Sequence, residues 1–90
     1  MEQIKDLLKR LNINKNPQEN DDGYIVELDN SDEFAKVYST LSKCENIDLV
    51  NLEMDEQGTQ ASYMSDDYDI VLYSNYDDDK YELQIKEIKE

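Results

Sequence analysis

Apolar residues recur along this chain with two periods, and the change from one to the other divides it. Ile4, Leu7, Leu8 and Leu11 fall at i, i+3, i+4 and i+7, one stripe of an amphipathic helix of about ten residues. Lys5, Lys9 and Arg10 lie between them, so this end is locally basic. From Asn12 to Gly23 the pattern lapses into an Asn-rich stretch holding Pro17, the only proline, which predicts a loop. Tyr24-Ile25-Val26-Glu27-Leu28 is β-branched and aromatic, a short strand. Asn30 or Ser31 then offers a helix N-cap, with Asp32 and Glu33 suited to the positive end of the helix dipole. Phe34, Val37, Tyr38 and Leu41 repeat the helical stripe, and this second helix should run to about Cys44.

From Ile47 the period shortens towards two. Val50, Leu52 and Met54 share a face, followed by the polar turn Asp55-Glu56-Gln57-Gly58. Thr59 to Met64 makes the next strand, and Asp66-Asp67 a tight turn. Tyr68, Ile70 and Leu72 alternate with Asp69, Val71 and Tyr73; beyond the acidic turn Asn75 to Asp79, Tyr81, Leu83 and Ile85 alternate with Glu82, Gln84 and Lys86. Short turns between consecutive strands imply hairpins, hence an antiparallel meander of four strands. The order α-β-α-β-β-β-β predicts one α+β domain over residues 1–90, with two helices packed on one face of a mainly antiparallel sheet. The other face can be solvated.

Size and composition narrow the chemistry. A chain of 90 residues buries roughly 60–65% of its unfolded surface, enough for one modest core. Mean hydropathy of −0.91 with high charge is also the signature of disorder, but the patterned apolar positions favour a folded domain. Met1-Glu2-Gln3-Ile4-Lys5 has neither the apolar run nor the small-residue cleavage site of a signal peptide. No segment approaches the ~20 apolar residues of a spanning helix, so an intracellular protein is expected. Cys44, the one cysteine, reads as a small packing residue.

Charge changes the picture most. There are 23 acidic residues, 9 basic ones and no histidine, for a net charge of −14. Direct binding to nucleic acid or to an anionic membrane surface needs Lys and Arg, so neither is expected. Lys43 and Lys80 bracket 36 residues without a positive side chain, holding Glu45, Asp48, Glu53, Asp55, Glu56, Asp66, Asp67, Asp69, Asp77, Asp78 and Asp79. A second basic-free stretch, 16–35, carries seven more acids. Like charges so concentrated oppose folding by self-repulsion, and solubility needs far less. The natural complement is a basic protein surface.

Catalysis lacks its usual parts. Without histidine there is no Ser/His/Asp or Cys/His arrangement, and the two glycines, at 23 and 58, form no phosphate loop. Asn75-Tyr76-Asp77-Asp78-Asp79 superficially matches the start of a calcium loop. The glycine and glutamate required at its sixth and twelfth positions are Lys80 and Lys86. The expectation is no enzyme, no metal and no cofactor. Of the seven tyrosines, Tyr38 and Tyr81 fit the apolar stripes. Tyr73 and Tyr76 stand among carboxylates, where an aromatic ring with a polar tip suits an interface. Asp66, Asp67 and Asp69, taken with Asp77, Asp78 and Asp79 from adjoining turns, are expected to form a negative array that imitates phosphates. Glu53, Asp55 and Glu56 would add to the partner-binding surface.

In size, acidity, tyrosine content and mixed α+β order, the chain resembles small phage-encoded inhibitors. The nearest types are acidic anti-CRISPR proteins and the DNA mimics that block uracil-DNA glycosylase. The likeness is one of composition over the whole chain, and it assigns no residue a role. It implies an inhibitor that occupies the DNA-binding or PAM-reading site of a Cas effector in the cytoplasm of a bacterial host, as a monomer or small homo-oligomer. Two other readings stay open: an immunity protein neutralising a basic nuclease toxin, and an acidic regulatory or structural subunit without DNA mimicry.

Overall fold

A computed structural model describes residues 2–20 and 23–88, with the backbone alone for residues 2–5. The Ile4 position of the first stripe, and Asp21 and Asp22 of the second acidic stretch, therefore lie outside the described side chains. The chain runs α1(Glu2–Arg10), β1(Gln18–Glu19), β2(Gly23–Leu28), α2(Ser31–Lys43), β3(Asp48–Met54), β4(Gly58–Met64), β5(Tyr68–Asn75) and β6(Lys80–Glu87). It is α+β, as the two periods predict. The difference is β1, a two-residue strand inside the expected loop, which pairs Gln18 with Ile25 and Glu19 with Tyr24.

Both helices end for local reasons. The N–H of Ile13 donates to Leu8 O at 2.8 Å and that of Asn12 to Lys9 O at 3.0 Å, while Asn12 sits at φ 58°. That is a Schellman stop, with Asn taking the left-handed position and buried Ile13 and Leu8 supplying its apolar contact. At α2, the Asn30 side chain accepts from Glu33 N at 3.0 Å, which settles Asn30 as the N-cap.

All strand pairs are antiparallel, in the order β1-β2-β6-β5-β4-β3. The last strand of the meander, β6, lies in the interior of the sheet, with β2 on one side and β5 on the other. Its helix-side residues Leu83 and Ile85 meet Val26 and Tyr24 across one register, and Leu72 and Ile70 across the other. Leu7, Leu8 and Leu11 from α1 and Val37 and Leu41 from α2 close the same core. Phe34 stacks at a tilt on Tyr81, ring centroids 5.9 Å apart. Cys44 is half-buried against this cluster, as a packing residue should be. Among the described residues, no helix is long and apolar enough to cross a membrane.

The apolar face expected for Val50, Leu52 and Met54 needs correction. A β-bulge between Leu49 and Asn51 shifts the phase at Val50, so Leu49, Leu52 and Met54 stand opposite Tyr63, Ala61 and Thr59. None of the three is buried, because α2 lies over β5 and β6 and leaves the edge strand beyond reach.

Lys15 anchors the loop after α1. Its Nζ lies 2.9 Å from Asp29 and 2.7 Å from Glu33, and donates to Glu27 O at 3.1 Å. Withdrawal from water alone would lower its pKa; the bonds and charges of Glu33 and Asp29 together outweigh that, and the pKa stands raised. Its contribution is whole below the ordinary lysine pKa and is lost as pH rises through the raised one. Lys15→Gln should lower stability at neutral pH by about 1 kcal/mol in urea denaturation, given one cation serving two partly screened carboxylates. No change would mean that the pairs merely decorate the surface.

Tyr63 and Tyr68 are buried, and burial is the chief reason their phenols are pushed above the ordinary tyrosine pKa. The carboxylates of Glu87 and Asp67 add to the effect at Tyr68. Stability from these phenols is whole below about pH 10 and declines above it, where the unfolded chain ionises first. Among the described residues the Tyr68 hydroxyl has no hydrogen-bond partner. Tyr68→Phe should therefore fold with equal or greater stability at pH 7 and lose less of it on the alkaline side. A variant losing more stability than the parent between neutral and alkaline urea titrations would contradict this.

Candidate functional site

Two hairpin turns lie side by side at one end of the sheet. The turn between β3 and β4 is built on Asp55, whose Oδ1 accepts from Gln57 N at 2.8 Å and Gly58 N at 3.0 Å. The turn between β5 and β6 is built on Asn75, whose Oδ1 accepts from Asp77 N at 3.0 Å and Asp78 N at 3.4 Å. Asp79 closes it at φ 48°, a conformation Asp and Asn tolerate. A latch joins the turns: Tyr76 N donates to Gln57 O at 2.7 Å, and the Tyr76 hydroxyl lies 3.0 Å from Thr59 Oγ1. Beneath it, Thr59 N donates to Ser74 Oγ at 3.1 Å.

The latch brings Glu53, Asp55 and Glu56 to the same end as Asp77, Asp78 and Asp79, and all six are exposed. Among the described residues, none of the six has a basic side chain within ion-pair distance; nearby Lys80 leans towards Glu82, 4.0 Å away. Tyr76, half exposed at 49%, stands between the two acidic groups. Tyr73 is half-buried on the open face, and its hydroxyl accepts from Asn75 Nδ2 at 3.3 Å. Glu82 beside it is buried, its Oε1 accepting from Gln84 Nε2 at 2.9 Å.

The expected array of Asp66, Asp67 and Asp69 with Asp77, Asp78 and Asp79 does not form. The turn carrying Asp66 and Asp67 lies at the other end of β5, whose eight residues span about 25 Å at roughly 3.3 Å each. That is several Debye lengths at physiological salt, about 8 Å each, so the two groups act independently. Asp69 sits near that far end, paired across the strands with Lys86 on one side and Met64 on the other. The signal that finds the right grouping was in the pattern: turns of an antiparallel meander alternate between ends, so the first and third share one.

Asn75 braces its turn. Its side-chain oxygen already serves two backbone N–H groups, and among the described residues no three Asp, Glu or Cys side chains converge as metal ligands would. The cleft below the latch, lined by Glu53, Asp55, Gln60, Tyr73 and Asn75, holds about 110 Å³, well under the roughly 300 Å³ of ordinary small-molecule pockets. What this end offers is a surface.

No family model, curated protein or solved structure matches the chain. The site's chemistry therefore rests on its own geometry.

Gly58 is the point where the latch tolerates no side chain, since a Cβ there would run into the Ser74 carbonyl oxygen on the adjoining strand. Gly58→Ala should cost about 2 kcal/mol or more and speed amide exchange in both turns at once. Exchange changes confined to residues 55–58 would show the turns to be uncoupled.

Proposed function

We propose that this protein is an inhibitor that works by occupancy: its acidic end binds and blocks a basic, nucleic-acid-binding surface of a partner protein. The observation that carries the reading is the latched pair of turns, which holds six carboxylates and the Tyr76 ring on one end with, among the described residues, no basic side chain within ion-pair distance of them. Repulsion among them disfavours the folded chain and is relieved when a cationic surface arrives. Carboxylates spaced over two turns present a basic groove with charges like those of a phosphate backbone, yet no base edges to be read. Tyr76 supplies contact area at the centre. The DNA channel of a Cas effector in a bacterial cytoplasm is a surface of this kind, and it is the partner we favour. The action needs no catalytic residue and no cofactor.

Guide-loaded Cas effectors carrying a labelled target duplex provide the assay. The protein should displace the duplex, with an association rate falling by about tenfold or more as salt rises from low to physiological and beyond. Asp77→Lys with Asp78→Lys should weaken displacement strongly. Asp66→Lys with Asp67→Lys, an identical change in net charge at the far end, should weaken it little. Equal losses in the two variants would reduce the effect to net charge and sink the assignment of the site.

A further inference from the structure

The edge strand β3 is the barest element of the fold. All seven of its residues are exposed, including Leu49 at 49%, Val50 at 61%, Leu52 at 39% and Met54 at 69%. Leu49, Leu52 and Met54 extend the helix-side face beyond the point where the helices cover it, since their partners Tyr63, Ala61 and Thr59 are all buried. On the open face β3 presents Asp48, Asn51 and Glu53, paired with Met64, Ser62 and Gln60. Among the described residues its outer rim of N–H and C=O groups has no neighbouring strand, because β3 ends the sheet. The opposite edge is blunted by being only two residues long. Long edges are ordinarily protected with lysine, proline or bulges; β3 has no lysine or proline, and its one bulge, at Val50, leaves Asn51 to Met54 in regular register.

A strand added along β3 would turn alternate side chains to the two faces. One set meets leucine and methionine, the other meets carboxylates. A second copy of this chain fits poorly. Antiparallel pairing about the middle of β3 brings Asp48 and Glu53 of one copy close to those of the other, between chains that each carry a charge of −14. A segment alternating apolar with basic residues satisfies both faces and the backbone rim together. We propose that β3 accepts such an extended basic segment of the partner as a seventh strand in the six-stranded sheet. The proposal rests on the basic-partner reading above and adds to it the segment's chemistry and its mode of attachment.

The probe is a peptide of about nine residues alternating lysine and valine, with a counterpart carrying glutamate for lysine, each titrated into the isotope-labelled full chain. The lysine peptide should shift the amides of residues 48–54 and slow their hydrogen exchange; the glutamate peptide should do neither. Val50→Lys with Leu52→Lys, both at exposed positions, should keep the melting temperature and weaken the lysine peptide about tenfold. Unchanged affinity in that variant overturns the proposal. Shifts confined to residues 55–58 and 76–79 overturn strand addition while leaving the basic-partner reading standing. No shift anywhere counts against both. Protection of β3 that grows with protein concentration, without peptide, would assign the edge to a second copy and also overturn the proposal.

Discussion

The pairing of β2 with β6 is the constraint on which the remaining architecture depends. It joins segments from opposite ends of the chain, Gly23–Leu28 with Lys80–Glu87, and so brings the N-terminal helices and strands together with the meander. Val26 and Leu83 are both fully buried at that seam. The meander could form locally, hairpin by hairpin, but its apolar face would stay wet until β6 meets β2 and the helices settle over it. Closing so long a loop is entropically slow, and the sheet's long-range pairing places this fold among the slower small domains.

Charge is distributed in a way the core can bear. Nearly all carboxylates of the described residues lie in turns, on helix surfaces or on the open face, where water screens them. The exceptional group is Glu82, buried but hydrogen-bonded by Gln84 and within ion-pair distance of Lys80. Lys15 does the corresponding work at the start of α2, where Asp29 and Glu33 would otherwise repel one another. Among the described residues the acidic end has no such cation within ion-pair distance, and its geometry is held by backbone and hydroxyl bonds together with the Asp55 and Asn75 side-chain oxygens that brace the two turns.

Much of this was legible in the residues. The 3.6-residue stripes located both helices, and the change of period at Ile47 located the four long C-terminal strands, because each pattern reflects one buried face. Asn12 as a helix stop was visible in principle, as an Asn followed by an apolar residue just past the last stripe position. Other features were out of reach for physical reasons. Whether an apolar strand is covered depends on how far a helix extends across the sheet, which no periodicity along β3 encodes. The bulge at Val50 likewise depends on pairing with β4. The acidic turns group differently from their order in the sequence for another reason: a meander sends consecutive turns to opposite ends, so neighbours along the chain are not neighbours in space.

The unequal edges of the sheet bear on what kind of assembly the fold permits. Open-ended growth by strand addition needs two competent rims on every subunit, one to give and one to receive. Here one rim spans the seven residues of β3 and the other only the two of β1. A strand added at β3 would find only this short rim on the far side of the molecule, a poor template for the next addition. Edges so unequal in length disfavour open-ended growth into fibres.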